Sequence, residues 1–129
     1  MANLVTVEAN ALLAASSGQT AYTAPVGPIK VALVSVIGTA SAPGTEISGG
    51  PGPYSRQTIT FAAASAGSIS SNAAVTFTGM PAVTVVGVDE WDSTGTPIRR
   101  WFGLLSASKT VNSGDTFSIA SGSYTKTLS

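Results

Sequence analysis

The sequence predicts an all-β protein, built as an antiparallel β-sandwich with one short N-terminal helix. Turn-forming Gly, Pro, Ser and Thr residues recur about every 8 to 12 residues, which is typical of sandwiches and barrels. Between these turns lie short segments in which apolar and polar side chains alternate, as they do in half-buried strands. With 129 residues the chain has the length of a single domain. We expect an N-terminal arm with the helix at residues 1–28, followed by a β-sandwich domain at residues 29–129.

One helix is expected at residues 8–16, where Ala and Leu predominate. Thr6 is a candidate N-cap, and Gly18 is suited to ending the helix. Such a short helix is marginal in isolation and must pack against the rest of the protein.

The first half of the sandwich is expected to hold three strands. Residues 29–37 are apolar at both alternating sets of positions, which predicts a central strand covered on both faces. A long Gly- and Pro-rich loop follows at residues 38–53, and it is either an assembly or functional loop or a passive connector. Residues 54–62 and 73–78 then predict strands, separated by a loop of small residues at 63–72.

The second half is expected to form a hairpin and the closing strands. Residues 83–92 predict a strand, and a turn at residues 93–97 joins it to a partner strand at 98–107. If that turn is centred on Gly95, Trp91 and Trp101 approximately oppose each other. After a turn at residues 112–115, the last strands carry Phe117, Ile119, Tyr124 and Leu128.

Composition excludes several classes of chemistry. The chain has no His and no Cys, which excludes Ser-His-Asp and Cys-His catalysis, Cys/His zinc sites and disulfides. The six basic residues are scattered rather than gathered into a stripe, so we expect no nucleic-acid binding. Its longest apolar run is about half the length of a membrane span. We therefore expect no enzyme activity, no cofactor and no membrane partner.

Asp89, Glu90 and Asp92 form an acidic cluster with three possible roles. A calcium site needs several oxygens converging from a loop, and a glycosidase needs two carboxylates across a cleft. The spacing lacks a ligand loop, so the simpler interpretation is a solvated strand end or salt bridges to Arg99 or Arg100.

The aromatic and Arg side chains near this cluster are candidates for an interface. Trp91 and Trp101 form either an aromatic core pair or exposed anchors, because Trp beside Arg is common where proteins bind each other. The residues selected as interface candidates are Tyr54, Arg56, Glu46, Trp91, Arg99, Arg100 and Trp101.

Several short motifs follow one another over about two-thirds of the chain. They are GTEISGG at residues 44–50, YSRQ at 54–57, FAAA at 61–64, SNAAVTF at 71–77, GLLSASKTV at 103–111 and SGDT at 113–116. In this order they resemble a family of small virion structural proteins of tailed bacteriophages, which includes capsid decoration and tail-fibre-like proteins.

The resemblance implies a non-enzymatic virion protein that is assembled in the host cytoplasm. The leading hypothesis is a capsid decoration protein that stabilises the head by binding the assembled shell, with the major capsid protein as its partner. The alternative is a tail-fibre or minor tail protein that contacts the host surface, with glycan binding as one option. Either role suits a homo-oligomer, for which a trimer is one possibility, and neither supplies catalytic residues.

Charged residues make up only 9% of the chain, against about 25% in an average soluble domain. Residues 29–37 and 83–88 are also apolar on both faces, more than a lone sandwich needs. We therefore expect part of the surface to be covered by another subunit.

Overall fold

The computed structural model describes residues 2–128, which fold into two β-sheets and one helix. In chain order the elements are β1 (Ala2–Leu4), α1 (Thr6–Ser16), β2 (Lys30–Val36), β3 (Thr45–Glu46), β4 (Gln57–Thr58), β5 (Ser68–Ser70), β6 (Val75–Phe77), β7 (Val83–Trp91), β8 (Arg99–Val111), β9 (Phe117–Ile119) and β10 (Thr125–Thr127).

The larger sheet has the strand order β3-β2-β7-β8-β1-β10-β5, and β4 also pairs with β2. The smaller sheet contains β6 and β9. Neighbouring strands are antiparallel, with the exception of the parallel pair β1–β10. This arrangement confirms the predicted sandwich-like, all-β fold with one short helix.

The two sheets enclose one hydrophobic core. The small sheet contributes Phe77 and Phe117, whose rings are 6.2 Å apart, and the large sheet contributes Leu33, Val85 and Val88. Burial of these apolar side chains is the main favourable term in folding.

The doubly apolar strands are largely covered within one chain, although Val36 is 58% exposed, so these faces need no second subunit. That another subunit covers part of the surface stays a prediction. Val31, Leu33 and Val85 face the core, and Val34, on β2, is also fully buried. The segment 38–44 folds over β2, so close that a Cβ on Gly44 would lie 3.0 Å from a methyl group of Val34.

Helix α1 begins at Thr6, two residues before the predicted start. Thr6 does not cap it, because Val5 is the N-cap residue and no side chain bonds there. The predicted stop at Gly18 is confirmed. Its φ is +73°, and the N–H groups of Gly18 and Gln19 bond to earlier carbonyls at 3.2 and 2.9 Å, which forms a Schellman motif.

Three of the predicted segments differ from the structure. The strand predicted at residues 54–62 is paired only at Gln57–Thr58 and at a bridge formed by Phe61. Near its start, the Tyr54 hydroxyl rather than a backbone carbonyl accepts the Leu33 N–H. Both predicted loops contain short strands: β3 in the loop 38–53 pairs with β2, and β5 in the loop 63–72 pairs with β10.

The N-terminal residues take part in the large sheet. Strand β1 lies between β8 and β10, so Ala2–Leu4 do not extend away from the protein. The division into segments 1–28 and 29–129 stays a prediction. Among residues 2–128, no helix has the length and hydropathy that a membrane span requires.

The β7–β8 hairpin forms as predicted but contains two irregularities. Trp101 lies opposite Glu90 and Trp91 lies opposite Arg99, so the predicted opposition of the two Trp residues is wrong. Trp91 and Arg99 are equally far from Gly95, so a turn centred there places Arg99, not Trp101, opposite Trp91. A bulge at Arg100, one extra residue on β8, then places Trp101 opposite Glu90. Nearer the other end, Val86 alone faces the four residues 105–108, which leaves this part of β8 unpaired with β7.

Candidate functional site

Most of the charged side chains form ion pairs within the chain. Five of the six carboxylates and four of the six basic groups take part in salt bridges. Four of the five pairs have a carboxylate whose side chain is at most 3% exposed. Removing one member of such a buried pair is costly, because the other charge then lacks compensation.

Four of the interface candidates form one cluster at the edge of the sheet, which we call the Arg56 cluster (Glu46, Tyr54, Arg56 and Trp91). Arg56 donates to both oxygens of Glu46, at 2.8 and 3.1 Å. Its guanidinium lies 4.2 Å from the centre of the Trp91 ring, in a cation–π contact. The Tyr54 hydroxyl donates to Glu46 at 3.1 Å and accepts the Leu33 N–H at 2.8 Å.

The electrostatics of the Arg56 cluster favour a neutral phenol and a charged guanidinium. Burial raises the pKa of Tyr54, and the negative charge of Glu46 raises it further. The hydrogen bonds from Arg56 to Glu46 raise the pKa of Arg56. Because this ion pair is about 30% exposed, its contribution to stability is small.

Arg99 and Asp89 form a buried pair that holds the loop 38–44. Arg99 Nη1 donates to Asp89 at 3.0 Å, and Nη2 donates to the Thr39 carbonyl. The second oxygen of Asp89 accepts the Gly44 N–H at 3.0 Å. The first part of the predicted long loop is therefore fixed to the sheet at both of its ends.

Arg100 joins helix α1 to the β7–β8 turn. Its Nη1 donates to Glu8 at 2.7 Å, and its Nη2 donates to Asp92 at 2.8 Å. Tyr22 also donates to Glu8. Glu8 is the one buried residue of α1, while Val7 and Leu13 are more than half exposed. A charged group, rather than an apolar stripe, anchors this helix.

The pKa shifts around Arg100 follow from these contacts. Burial alone would raise the pKa of Asp92, but hydrogen bonds from the Ile98 N–H, Arg100 and Thr94 outweigh it and lower the pKa. Burial and the bond to Glu8 raise the pKa of Tyr22 to about 12.

Glu90 and Lys126 form the pair that faces the core. Lys126 Nζ lies 3.0 and 3.1 Å from the two carboxylate oxygens. It also lies 4.1 Å from the centre of the Phe61 ring and 5.2 Å from that of Trp101. Burial raises the pKa of Glu90 despite the lysine.

Two of the open grooves on the surface bear on binding. The Trp91 groove encloses about 450 Å³ beside helix α1, and its lining includes Thr6, Asn10, Ser41, Pro43, Trp91 and Ile98. The β8–β9 groove encloses about 560 Å³, and its lining includes Leu104, Leu105, Lys109, Phe117, Ser118 and Ile119.

The predicted salt bridges of the acidic cluster are confirmed, because Asp89 pairs with Arg99 and Asp92 pairs with Arg100. The alternative of a solvated strand end is wrong, because all three carboxylates are buried. No group of three or more acidic side chains suited to holding a metal is found among residues 2–128. The interface roles of the seven selected residues stay predictions. The sequence reasoning missed Glu8, Tyr22 and Lys126. For Glu8 a signal existed: it is the one charged residue of the helix.

The comparison with known families decides the class of protein. The model of a family described as Podophage GP4 fiber I protein gp80 matches residues 3–127, nearly the whole chain. The chain belongs to this family. It is thus a structural protein of tailed bacteriophages and is located in the virion, as the motifs in its sequence predict. No curated protein matches the chain.

Proposed function

We propose that the chain is a fibre component of the phage tail rather than a capsid decoration protein. The observation that carries this proposal is the match of the fibre-protein family to residues 3–127. Of the two roles that the sequence suggests, the family description favours the alternative over the leading hypothesis. As a fibre component, the chain binds other tail proteins and further copies of itself.

A non-enzymatic role is part of the proposal. The three carboxylates of the acidic cluster are each held by a cation, and Asp89 and Asp92 also accept backbone N–H groups. A general acid or base needs a carboxyl that can reach the substrate's proton. These carboxyls are at most 3% exposed and serve the fold instead.

Locating the protein in the particle tests the fibre role. Intact virions are labelled with gold-conjugated antibody against this chain and imaged by electron microscopy. We expect gold on the tail. Label distributed over the head would contradict the proposal and restore the capsid decoration hypothesis.

Contact with host-surface glycans is a second proposed function, supported by the Trp91 groove. Arg56 covers one side of the Trp91 ring. Trp91 also lines the groove, together with the polar side chains of Thr6, Asn10 and Ser41. An aromatic surface beside neutral hydrogen-bonding groups suits a sugar ring. Trp101 is less suited to this role, because it does not line the groove.

A glycan array probed with the purified chain tests this second function. We expect binding that is lost in Trp91→Ala and kept in Trp101→Phe, with both variants checked for folding by circular dichroism. A parent protein that binds no glycan on the array would overturn glycan contact and leave the fibre role in place.

A further inference from the structure

An open cleft of about 410 Å³, which we call the Lys30 cleft, lies between the start of β2 and the β7–β8 turn. Besides Pro97, its lining consists of two cations, three hydroxyl groups and one carboxylate, carried by Lys30, Arg56, Ser55, Ser93, Thr94 and Asp92. Lys30 lies directly opposite Trp91, and opposing residues share one face of a sheet. Arg56 contacts the ring of Trp91, which lines the Trp91 groove. The Lys30 cleft and the Trp91 groove are therefore neighbours.

Three hydrogen-bond donors on this lining have no acceptor within residues 2–128. Lys30 Nζ takes part in no salt bridge. Arg56 uses Nε and Nη2 for Glu46, which leaves Nη1. The Ser55 hydroxyl accepts from Gln57 at 3.1 Å, which leaves its own hydrogen to donate. Three donors around one cleft suit an anionic group, because a carboxylate or phosphate offers acceptors alone.

The carboxylate on the lining does not oppose an anion. One oxygen of Asp92 accepts the N–H groups of Thr94 and Ile98 at 3.3 and 2.9 Å. The other oxygen accepts two bonds from Arg100, at 2.8 and 3.1 Å, and the side chain of Asp92 is 0% exposed. Its charge is thus compensated on the protein side of the wall. These bonds also fix the turn, so the cleft is formed before a ligand arrives, which lowers the cost of binding.

Lys30 gives the cleft a net positive charge, because Glu46 already balances the charge of Arg56. We propose that the Lys30 cleft binds the carboxylate or phosphate group of an acidic sugar, with part of the glycan in the neighbouring Trp91 groove. Hydrogen bonds that join charged groups are about twice as strong as neutral ones. The assignment rests on the proposed contact with host-surface glycans, and it narrows those glycans to acidic ones.

Isothermal titration calorimetry of the full chain with two pairs of oligosaccharides tests the assignment. Tetragalacturonate and its methyl ester form the carboxylate pair, and maltotetraose with and without one phosphate forms the phosphate pair. We expect the acidic member of at least one pair to bind about tenfold more tightly than its neutral counterpart. The pair that shows this preference identifies which anionic group the cleft takes.

Lys30→Gln should reduce this preference to about twofold or less, because it removes the net charge of the cleft. The matched control is Lys109→Gln, the same change in the β8–β9 groove, which should leave the preference unchanged. Ser55→Ala is an independent variant at an exposed position and should also weaken binding of the acidic probe. Urea unfolding confirms that each variant is folded.

The outcomes separate this inference from the proposed glycan contact. Equal affinity for the acidic and neutral members of both pairs, or a preference that Lys30→Gln retains, would overturn the Lys30 cleft and leave the Trp91 groove as a glycan site. If none of the four probes binds, the cleft is likewise wrong, and the glycan array decides separately on the Trp91 groove.

Discussion

Arg100→Met tests the most connected ion pair in the fold. The change leaves Glu8 and Asp92, each at most 3% exposed, without their shared cation. Losing one partner of a buried pair costs about 3–5 kcal/mol. Tyr22 still donates to Glu8, and the Ile98 N–H still donates to Asp92. We therefore expect the free energy of unfolding to fall by about 3 kcal/mol, the lower end of this range.

Urea unfolding followed by Trp fluorescence measures this loss, and calorimetry gives the change in Tm. For a domain of this size, 3 kcal/mol corresponds to a fall in Tm of roughly 10 °C. The matched control is Arg56→Met, which removes the partly exposed pair with Glu46 and should cost about 1 kcal/mol or less. At acidic pH the difference in the free energy of unfolding between the parent and Arg100→Met should become smaller, because protonation of the carboxylates removes the uncompensated negative charge.

Equal losses in Arg100→Met and Arg56→Met would refute the reasoning. Burial would then not determine what these ion pairs contribute. If the stability difference between the parent and Arg100→Met does not change as the pH falls, the explanation by uncompensated carboxylates is contradicted.

Four further changes have expected outcomes. Gly38→Ala should lower the free energy of unfolding in urea by roughly 1–3 kcal/mol, because the added Cβ would lie 2.5 Å from a backbone nitrogen. Gly95→Ala, whose Cβ would have nothing within 4 Å, should leave the free energy of unfolding nearly unchanged. Equal effects of the two changes would contradict this reasoning. Ser71→Ala should lose about 1–3 kcal/mol by the same assay, because the hydroxyl accepts two backbone N–H groups at 3.2 and 3.3 Å, and an unchanged midpoint would count against it. The pKa of Asp92 is lowered on folding, so its stabilisation is present above the unfolded pKa and is lost as the pH falls through the folded pKa; the parent's advantage over Asp92→Asn should shrink in acid. The pKa of Glu90 is raised on folding, so the stabilisation by Glu90 is fully present below the unfolded pKa and is lost as the pH rises through the folded pKa. Over that rise the free energy of unfolding of the parent should fall relative to that of Glu90→Gln. A difference between the two that does not change with pH would contradict the raised pKa.

The sequence predicts the fold well where hydrophobic alternation is regular. Residues 29–37 and 83–92 correspond closely to β2 and β7, and Val75–Phe77 lies inside the predicted strand 73–78. In these segments burial alone specifies which side chains point inward, and that pattern is local.

The parts that sequence analysis misses depend on distant contacts. Strands of two or three residues, such as Thr45–Glu46 and Ser68–Ser70, are too short to show a period and form only because a strand distant in the sequence lies beside them. A turn centred on Gly95 pairs Trp91 with Arg99, as observed, but the bulge at Arg100 shifts the register beyond that pair, so turn position alone could not place Trp101 opposite Glu90. Family resemblance, rather than any single site, predicted the virion class.

The same long-range dependence applies to the candidate site. Proximity in sequence identified Asp89 and Asp92 with their arginines, because both partners lie on one hairpin. Glu8 and Lys126 reach their partners from 92 and 36 residues away, separations that no local pattern encodes.

The pairing of β1 with β10 has a consequence for how the protein is made. Ala2 and Lys126 are neighbours in the sheet, although nearly the whole chain separates them, and β1 also borders β8. A nascent chain therefore holds β1 without one of its two neighbours until β10 has been translated. Contacts between such distant residues slow folding, because a large loop must close before the pairing forms. We expect the large sheet to be completed only after β10 has left the ribosome.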